Sequence, residues 1–366
     1  MAHHRILLVS AAMGGGHLQI ARELERRLRA RGHTTLLVDQ LSVMPGPTGR
    51  WLGRLYIWLV NRAPRIYQWV YQTFFLARQK GGERAGVPVR LALSGLRRVA
   101  DGFRPDLAVS TYPLCSLALG ELRRRGQLSC PAVTVLTTFS VNYLWLHPAV
   151  DLELCISGPA AEDVTRRTGR PAAVCGPVVR DAFWDHAGDG VGVREGLGVD
   201  GDRHLALVTT GSMGLVGDAV TAAEAIASLP DWVPVVLCGH SEMLAEQLAQ
   251  VEGAVAVDWS DDMPSMMAAA DVLVDNNCGM AAKEALACGL PVVTFRPISG
   301  HGRDDTDALA GLGLTDRVDE VSELQAALAR ILHDPRCRRD REDRGRALFV
   351  ADAAEMLEQV AARAGR

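Results

Sequence analysis

The sequence predicts an α/β protein built from two doubly wound, parallel-sheet domains in tandem. Three observations carry that expectation. Short runs of Val, Ile and Leu alternate with amphipathic helical stretches along the 366 residues. Glycine-rich or polar turns recur where an apolar run gives way to a helix, the place where such sheets bind ligands. The chain also exceeds one comfortable core, and the alternation restarts near residue 203. We place the domains at residues 1–185 and 203–345. The glycine-rich stretch His186–Asp202 reads as the linker between them. A last helix, about Arg344–Arg363, is expected to pack back across both domains from the 346–366 end.

The first half opens with a buried strand, Arg5–Ser10, and a glycine-rich turn, Ala11–His17. Helix Leu18–Arg31 follows, with Ile20, Leu24 and Leu28 on its inner face, and then strand Thr34–Val38. The glycines of that turn, Gly15 and Gly16 among them, let backbone approach a ligand closely. They set His17 at a helix N-terminus, where neutral imidazole is favoured and can take a proton from a hydroxyl. The plainer alternative is a turn that serves only tight strand–helix packing.

Residues 51–75 hold eight of the 19 aromatic residues, among them Trp51, Trp58 and Trp69. Two helical pieces meet at Pro64, with Trp51, Leu55, Trp58 and Leu59 sharing one face, and Arg50, Arg54, Arg62, Arg65 and Arg78 interleaved. That amphipathic, basic pattern suits an interfacial helix, against the alternative of two core helices. Beyond it come helix Val89–Gly102, strand Asp106–Ser110 ending in Thr111, and helix Leu114–Arg125. Strand Ala132–Leu136 runs into the polar turn Thr137–Asn142, Trp145 follows, and strand Leu152–Ile156, helix Ala160–Thr168 and strand Ala173–Cys175 complete this half.

The second half restarts with Leu205–Val208 and an amide-rich loop through Gly211, Ser212, Met213 and Gly214. Val233–Cys238 ends at Gly239 and His240, and Ala254–Val257 leads into Trp259 and Met263. Strand Val272–Val274, turn Asp275–Gly279, helix Met280–Cys288, Gly289, Pro291 and strand Val292–Phe295 form a complete parallel unit, with Gly289 as a C-cap glycine. The turn's residues Asn277, Cys278 and Gly279, with Met280, offer free amides at a helix N-terminus for a phosphate or diphosphate. Glu284, one turn further on, is placed to accept hydrogen bonds from a ribose; the plainer alternative is an ordinary αβ turn with a solvated glutamate. Residues 299–308, which include His301, Arg303, Asp304 and Asp307, read as a polar loop.

Composition narrows the classes. No run approaches the roughly twenty apolar residues of a membrane span, and nothing resembles a secretory signal. Eight scattered cysteines without a C-x-x-C pair argue for reduced thiols and a cytoplasmic protein. Asp261-Asp262 lacks further ligands for a metal site. The net charge of −4 divides into +13 over residues 1–180 and −17 beyond, which points the first half towards an anionic partner, a phosphate-bearing acceptor or the inner face of a membrane. No nucleic-acid-binding motif is present.

Together these residues resemble the GT-B glycosyltransferases, in particular the monogalactosyldiacylglycerol synthase and diacylglycerol glucosyltransferase group, and more distantly the N-acetylglucosaminyltransferase that acts on the peptidoglycan lipid precursor. The matching pieces are Gly14 to His17 with Ala21 and Leu24, the aromatic Leu55–Thr73 segment, Arg104-Pro105-Asp106, Ser110-Thr111, Trp145, Gly176 to Arg180, Ala270-Asp271, and Glu284-Ala285-Leu286 with Gly289-Leu290-Pro291. They run through nearly the whole chain in the family's order. The resemblance implies two Rossmann-like domains facing across a cleft, and inverting, metal-independent transfer from a UDP-sugar, without a cofactor. It implies the nucleotide on the second domain and an apolar or lipid-like acceptor on the first.

Two departures stand out. Where the family has Thr-Asp-Phe and then a histidine, this chain has Thr137-Thr138-Phe139 and Asn142, so a carboxylate is replaced by Thr138. The donor-sugar loop, Gly-Gln-Glu then Asn-Ala in the family, reads Gly300-His301-Gly302 then Asp307-Ala308. His17 is then the principal base, and a specialised acceptor, as in natural-product biosynthesis, fits the changes. We expect Gly211–Gly214, Asn277–Met280 and Glu284 to hold the nucleotide diphosphate and ribose. Gly239, His240, Trp259 and Met263 would bracket the uracil, with His301, Arg303, Asp304 and Asp307 at the sugar. Gly15, Gly16, Thr111, Thr138, Asn142, Trp145, Trp58 and Trp69 would meet the acceptor. The rivals are a non-hydride UDP-sugar epimerase, whose first loop carries an arginine and acidic residues where this chain has Gly14–His17, and a catalytically silent UDP-binding partner protein.

Overall fold

The computed structural model describes residues 3–13, 15–63, 66, 86–184, 188–199, 201–209 and 216–364. The chain divides into two compact units, Met1–Val178 with Phe349–Arg366, and Val179–Leu348.

In the first unit, strands β1 (Arg5–Ser10), β2 (Thr34–Asp39), β3 (Leu107–Ser110), β4 (Ala132–Val135), β5 (Leu152–Cys155) and β6 (Ala173–Val174) form one sheet in the order β2-β1-β3-β4-β5-β6. Every pair is parallel. Parallel neighbours cannot be joined by a tight turn, so helices α1 (Gly15–Ala30), α2 (Thr48–Arg62), α3 (Val87–Phe103), α4 (Pro113–Arg124) and α5 (Gly158–Thr168) carry the chain back between them. Strands β3 and β4 are buried at all four positions, as Val- and Leu-rich strands covered on both faces must be. The chain leaves β1 towards β2 on one side and reaches β3 on the other, so the switch point of this sheet lies between β1 and β3.

The second unit repeats the plan. Helix α6 (Gly190–Gly196) precedes β7 (His204–Thr209). Then follow α7 (Val216–Ala227), β8 (Trp232–Gly239), α8 (Glu242–Leu248), β9 (Val255–Asp258), α9 (Met263–Ala269), β10 (Val272–Asp275), α10 (Met280–Cys288), β11 (Val292–Phe295), α11 (His301–Gly311), β12 (Thr315–Val318), α12 (Val321–His333) and α13 (Pro335–Ala347). The parallel sheet runs β12-β11-β10-β7-β8-β9, with its switch between β7 and β10. Gly289 closes α10 at φ 73, where a side chain would be strained.

Three expectations need correction. The stretch His186–Asp202 is not all linker. Helix α6 lies within it, capped by Asp189, whose carboxylate accepts from Gly192 N at 2.8 Å, and tied by Arg194 to the Ala269 carbonyl at 2.8 Å. The expected polar loop 299–308 is mostly helix, because Gly300 turns the chain at φ 83 and α11 starts at His301. The single last helix is broken at residues 348–352 into α13 and α14 (Ala353–Ala364). Helix α14 packs on α1, where Arg27 meets Asp352 at 3.2 Å and Arg31 meets Asp352 at 3.1 Å and Glu358 at 3.3 Å.

Helix α2 is amphipathic in an informative way. Leu52 and Tyr56 pack against the first unit's core, and Gly49 lets the helix close on the Leu41 carbonyl, which a Cβ would meet at 1.8 Å. Trp51, Leu55 and Trp58 lie on the other side, 66%, 51% and 53% exposed. These three are therefore not core filling. Trp69 and the other aromatic residues of the second piece, at 67, 71, 74 and 75, fall outside the described residues.

Candidate functional site

Several of the predicted residues lie just beyond strand ends, some of them beside a switch point. In the first unit, α1 follows β1 and puts His17 in its first turn, while Thr111 follows β3. The His17 ring nitrogen Nδ1 lies 3.0 Å from the Thr111 carbonyl oxygen and 2.7 Å from the Thr137 hydroxyl. A carbonyl can only accept, so Nδ1 carries the proton and donates, and the neutral ring has its lone pair on Nε2. With Nδ1 donating to the carbonyl, the Thr137 hydroxyl can only accept from it, and Nε2 is the basic nitrogen. Tyr112 meets the ring edge-on at 4.9 Å, and Trp145 lies at 6.0 Å.

The other first-unit candidates divide into neighbours of His17 and structural residues. The Thr111 side chain is fully buried, its hydroxyl donating to the His17 carbonyl at 3.2 Å and lying 3.0 Å from Ser10 Oγ, which can donate to it. Trp145 is likewise fully buried, within a cluster that includes Leu136, Cys155 and Val164. Neither side chain faces an acceptor as expected; both support the histidine. Asn142 is buried too, and caps the short helical turn Tyr143–Trp145 by accepting from Leu144 N at 3.1 Å. Thr138 is half-buried and donates to the Ser140 carbonyl at 2.8 Å. Gly15 is exposed and Gly16 half-buried in the first turn of α1. Thr137, which the sequence reading passed over in favour of its neighbour, is the hydroxyl on the imidazole. Its signal lies in the strand order, since β1, β3 and β4 are adjacent and their ends converge.

His147 is a buried structural group. Its ring packs against Gly120, where a Cβ would lie 2.3 Å away, and Nε2 faces Glu121 at 3.7 Å. Burial pushes its pKa down, and hydrogen bonds from Arg124 hold the Glu121 carboxyl at about 2.

In the second unit the turn after β10 is the best-defined feature. Cys278 sits at φ 50, a left-handed conformation costing a non-glycine residue about 1–2 kcal/mol, so the surroundings must hold it. Its buried thiol reaches Thr294 at 3.5 Å and Thr306 at 3.4 Å. Asn277 accepts from Gly279 N at 2.8 Å through its side chain. The N–H groups of Met280, Ala281 and Ala282 open α10 and have no intrahelical acceptor. The start of α11 packs on the same turn: Ile298 N donates to the Asn276 carbonyl at 2.8 Å, and a Cβ on Gly302 would lie 3.6 Å from Asn277 Cα.

Glu284 is 8% exposed, and burial pushes its carboxyl up to about 7, against smaller opposing effects of Arg180 and Lys283. Arg180 is a neighbour the sequence reading did not assign to this site. Asp275, 3% exposed, is pushed by burial to about 6. The Thr294 hydroxyl and the amides of Asn277 and Cys278 face it without completing well-aligned hydrogen bonds. The buried Asn276 side-chain amide has no hydrogen bond among the described residues.

At the other side of this sheet, His240 stacks on Trp259 with ring centroids 5.0 Å apart and planes 10° apart, while Trp259 donates to Asp261 at 2.8 Å. Gly239 turns the chain there at φ 60, and Met263 begins α9. On α11, Arg303 is exposed, Asp304 half-buried, and Asp307 pairs with Arg317. Gly211, Ser212, Met213 and Gly214 lie outside the described residues. Among the described residues no group of three His, Cys, Asp or Glu side chains has the arrangement to hold a metal ion.

Two parallel six-stranded sheets, each flanked by helices, define the GT-B fold of glycosyltransferases. Residues 17–179 match the family described as monogalactosyldiacylglycerol (MGDG) synthase, and residues 207–334 match glycosyl transferases group 1. The chain is 20% identical over 361 residues to the processive diacylglycerol beta-glucosyltransferase of Bacillus licheniformis, across 96% of this chain and 93% of that one. Among solved structures, the glycotransferase of kitacinnamycin superposes with a TM-score of 0.65 at 19% identity, covering 98% of this chain and 100% of the other. HepE of Anabaena, solved with UDP-glucose, gives 0.58 at 16% identity, covering 99% of each. The resemblance to the MGDG synthase and diacylglycerol glucosyltransferase group thus spans both units.

Proposed function

We propose that the protein is an inverting glycosyltransferase that moves a sugar from a UDP-sugar to a hydroxyl of a lipid-like acceptor. The observation that carries this reading is His17, whose Nδ1 proton is committed to the Thr111 carbonyl, leaving Nε2 to act as a base. In the reaction the acceptor hydroxyl gives its proton to Nε2. Its oxygen bonds to the anomeric carbon as the bond from that carbon to the β-phosphate oxygen breaks. One displacement inverts the configuration, and the electron pair leaves on UDP. The N–H groups opening α10 and the N-terminus of α11 would meet the charge that develops on the diphosphate, without a resident metal ion. Glu284 would accept from the ribose hydroxyls, and the His240–Trp259 pair would flank the uracil. UDP-glucose on HepE and the diacylglycerol glucosyltransferase relative support the donor and acceptor classes.

The exposed Trp51, Leu55 and Trp58, beside exposed Arg50 and Arg54, fit a protein that rests on an anionic membrane surface to reach its acceptor. No helix among the described residues is long and apolar enough to cross a membrane.

The test is turnover with UDP-glucose or UDP-galactose and diacylglycerol in mixed vesicles, measured as UDP release and glycolipid formed. The expected outcome is acceptor-dependent release, lowered by about 10²–10⁴ in His17→Ala, the usual worth of a general base. Conversion of a UDP-sugar without acceptor would support an epimerase instead. UDP binding without turnover on any hydroxyl acceptor would support a silent binding protein.

A further inference from the structure

Lysine is almost absent from this protein, which has 39 basic Lys and Arg residues of which only Lys80 and Lys283 are lysine. Lys283 is 4% exposed, an unusual place for an ammonium group. Its Nζ donates to the Cys278 carbonyl at 3.0 Å and to the Gly279 carbonyl at 3.1 Å. Burial pushes its pKa down, against the smaller opposing effects of nearby Asp305, Cys278, Asp275 and Glu284. Both carbonyls belong to the turn that opens α10.

A trans peptide unit is planar, with its C=O and N–H pointing in opposite directions. An ammonium that draws the Gly279 carbonyl inwards therefore drives the Met280 N–H outwards. Holding the Cys278 carbonyl in the same way pins the peptide unit that follows the left-handed residue at φ 50, in the part of the turn where glycine is the ordinary choice. The Gly279 carbonyl also accepts the α10 bond from Lys283 N at 3.4 Å, so one residue grips it through both backbone and side chain.

We infer that Lys283 is the positioning residue of the diphosphate site: from beneath the turn, its side chain holds two successive peptide units, the first locked further by the Gly279 N–H on Asn277, so that the Met280 N–H at the start of α10 faces an anionic diphosphate. The inference rests on the donor site proposed above, and it assigns Lys283 no contact with the nucleotide. Its signature is selective. Losing the clamp weakens ligands that carry a diphosphate and leaves the bare nucleoside alone, whereas a purely stabilising lysine affects both alike or neither.

Calorimetric titration of the full-length protein with UDP and with uridine tests this, beside thermal unfolding of each variant. At pH 8, where Glu284 is mostly charged and loss of the neighbouring Lys283 charge matters least, UDP affinity in Lys283→Met should fall by tenfold or more, about the worth of a charge-assisted hydrogen bond, while uridine stays within about twofold. Lys283→Gln keeps N–H donors for the carbonyls and should retain most of the preference for UDP over uridine. Equal weakening of UDP and uridine in Lys283→Met, or unchanged UDP affinity, would overturn the inference. If Lys283→Met does not fold, Lys283→Gln decides: a preference kept supports the clamp, and a preference lost overturns it. A wild type that binds neither UDP nor uridine refutes the donor site itself, and this inference with it.

Discussion

Glu284 offers the sharpest numerical test, because its surroundings oppose the charge its proposed task requires. Burial carries its carboxyl from an ordinary 4.5 to about 7, which corresponds to about 3 kcal/mol against the charged form. Ribose hydroxyls donate to a carboxylate, so binding draws out the charged form and releases a proton. If only the charged form binds well, about one-tenth of the protein is competent at pH 6 and about nine-tenths at pH 8, so uridine affinity should rise about tenfold between them. Uridine is the ligand to use, since it has no phosphate to titrate in that range. Titrations in buffers of different ionisation enthalpy should show close to half a proton released at pH 7. Glu284→Gln should flatten the profile and lose about 1.5–3 kcal/mol of uridine binding at pH 8. Stability should move the other way. A raised carboxyl penalises the folded state as pH climbs from about 4.5 through 7, fully above 7 and not at all below 4.5. The glutamine variant should therefore melt higher than wild type at pH 8, with the difference vanishing near pH 4. A wild-type uridine affinity that is flat from pH 6 to 8, or an identical slope in Glu284→Gln, would refute the ribose assignment.

Other predictions follow from the first unit. Thr137→Val removes the hydroxyl 2.7 Å from His17 Nδ1 but leaves the Thr111 carbonyl, so turnover should fall by about tenfold while UDP affinity is unchanged, by steady-state kinetics and calorimetry. Replacing Trp51 and Trp58 by Ser should reduce pelleting with anionic liposomes without lowering Tm, because both rings are exposed; a collapse in Tm would show that they are core. Gly120→Ala should cost about 1–3 kcal/mol of stability by denaturant unfolding, since its Cβ would lie 2.3 Å from the buried His147 ring.

Where local chemistry dictates structure, the sequence was readable. The β10–α10–β11 unit is such a case: apolar runs of strand length, a glycine at φ 73 and a proline behind it set its limits without help from the rest of the chain. Helix α11 was not readable in that way. Its first turns are polar and look like a loop, but Asp305, Thr306 and Leu309 are buried against the unit, and that tertiary burial makes the helix. Sequence spacing could place His17 at a helix N-terminus. It could not supply the imidazole's partners, because Thr111 and Thr137 lie 94 and 120 residues away and meet it only through the order of the strands. Trp145 shows the opposite failure, since an aromatic beside a strand end reads the same whether it lines a site or fills a core.

The discontinuity of the first unit bears on how the chain is made. Residues 1–178 leave the ribosome first, yet Asp352 and α14, which pair with Arg27 and Arg31 on α1, come from residues 352–364. During synthesis the early unit must wait, incomplete along one flank, while all of Val179–Leu348 is translated. At elongation rates of about 5–20 residues per second, that interval lasts roughly ten to thirty seconds. For that time the flank of α1 that α14 will cover faces solvent, so the nascent chain gives a chaperone or a protease an opening that the finished molecule withdraws.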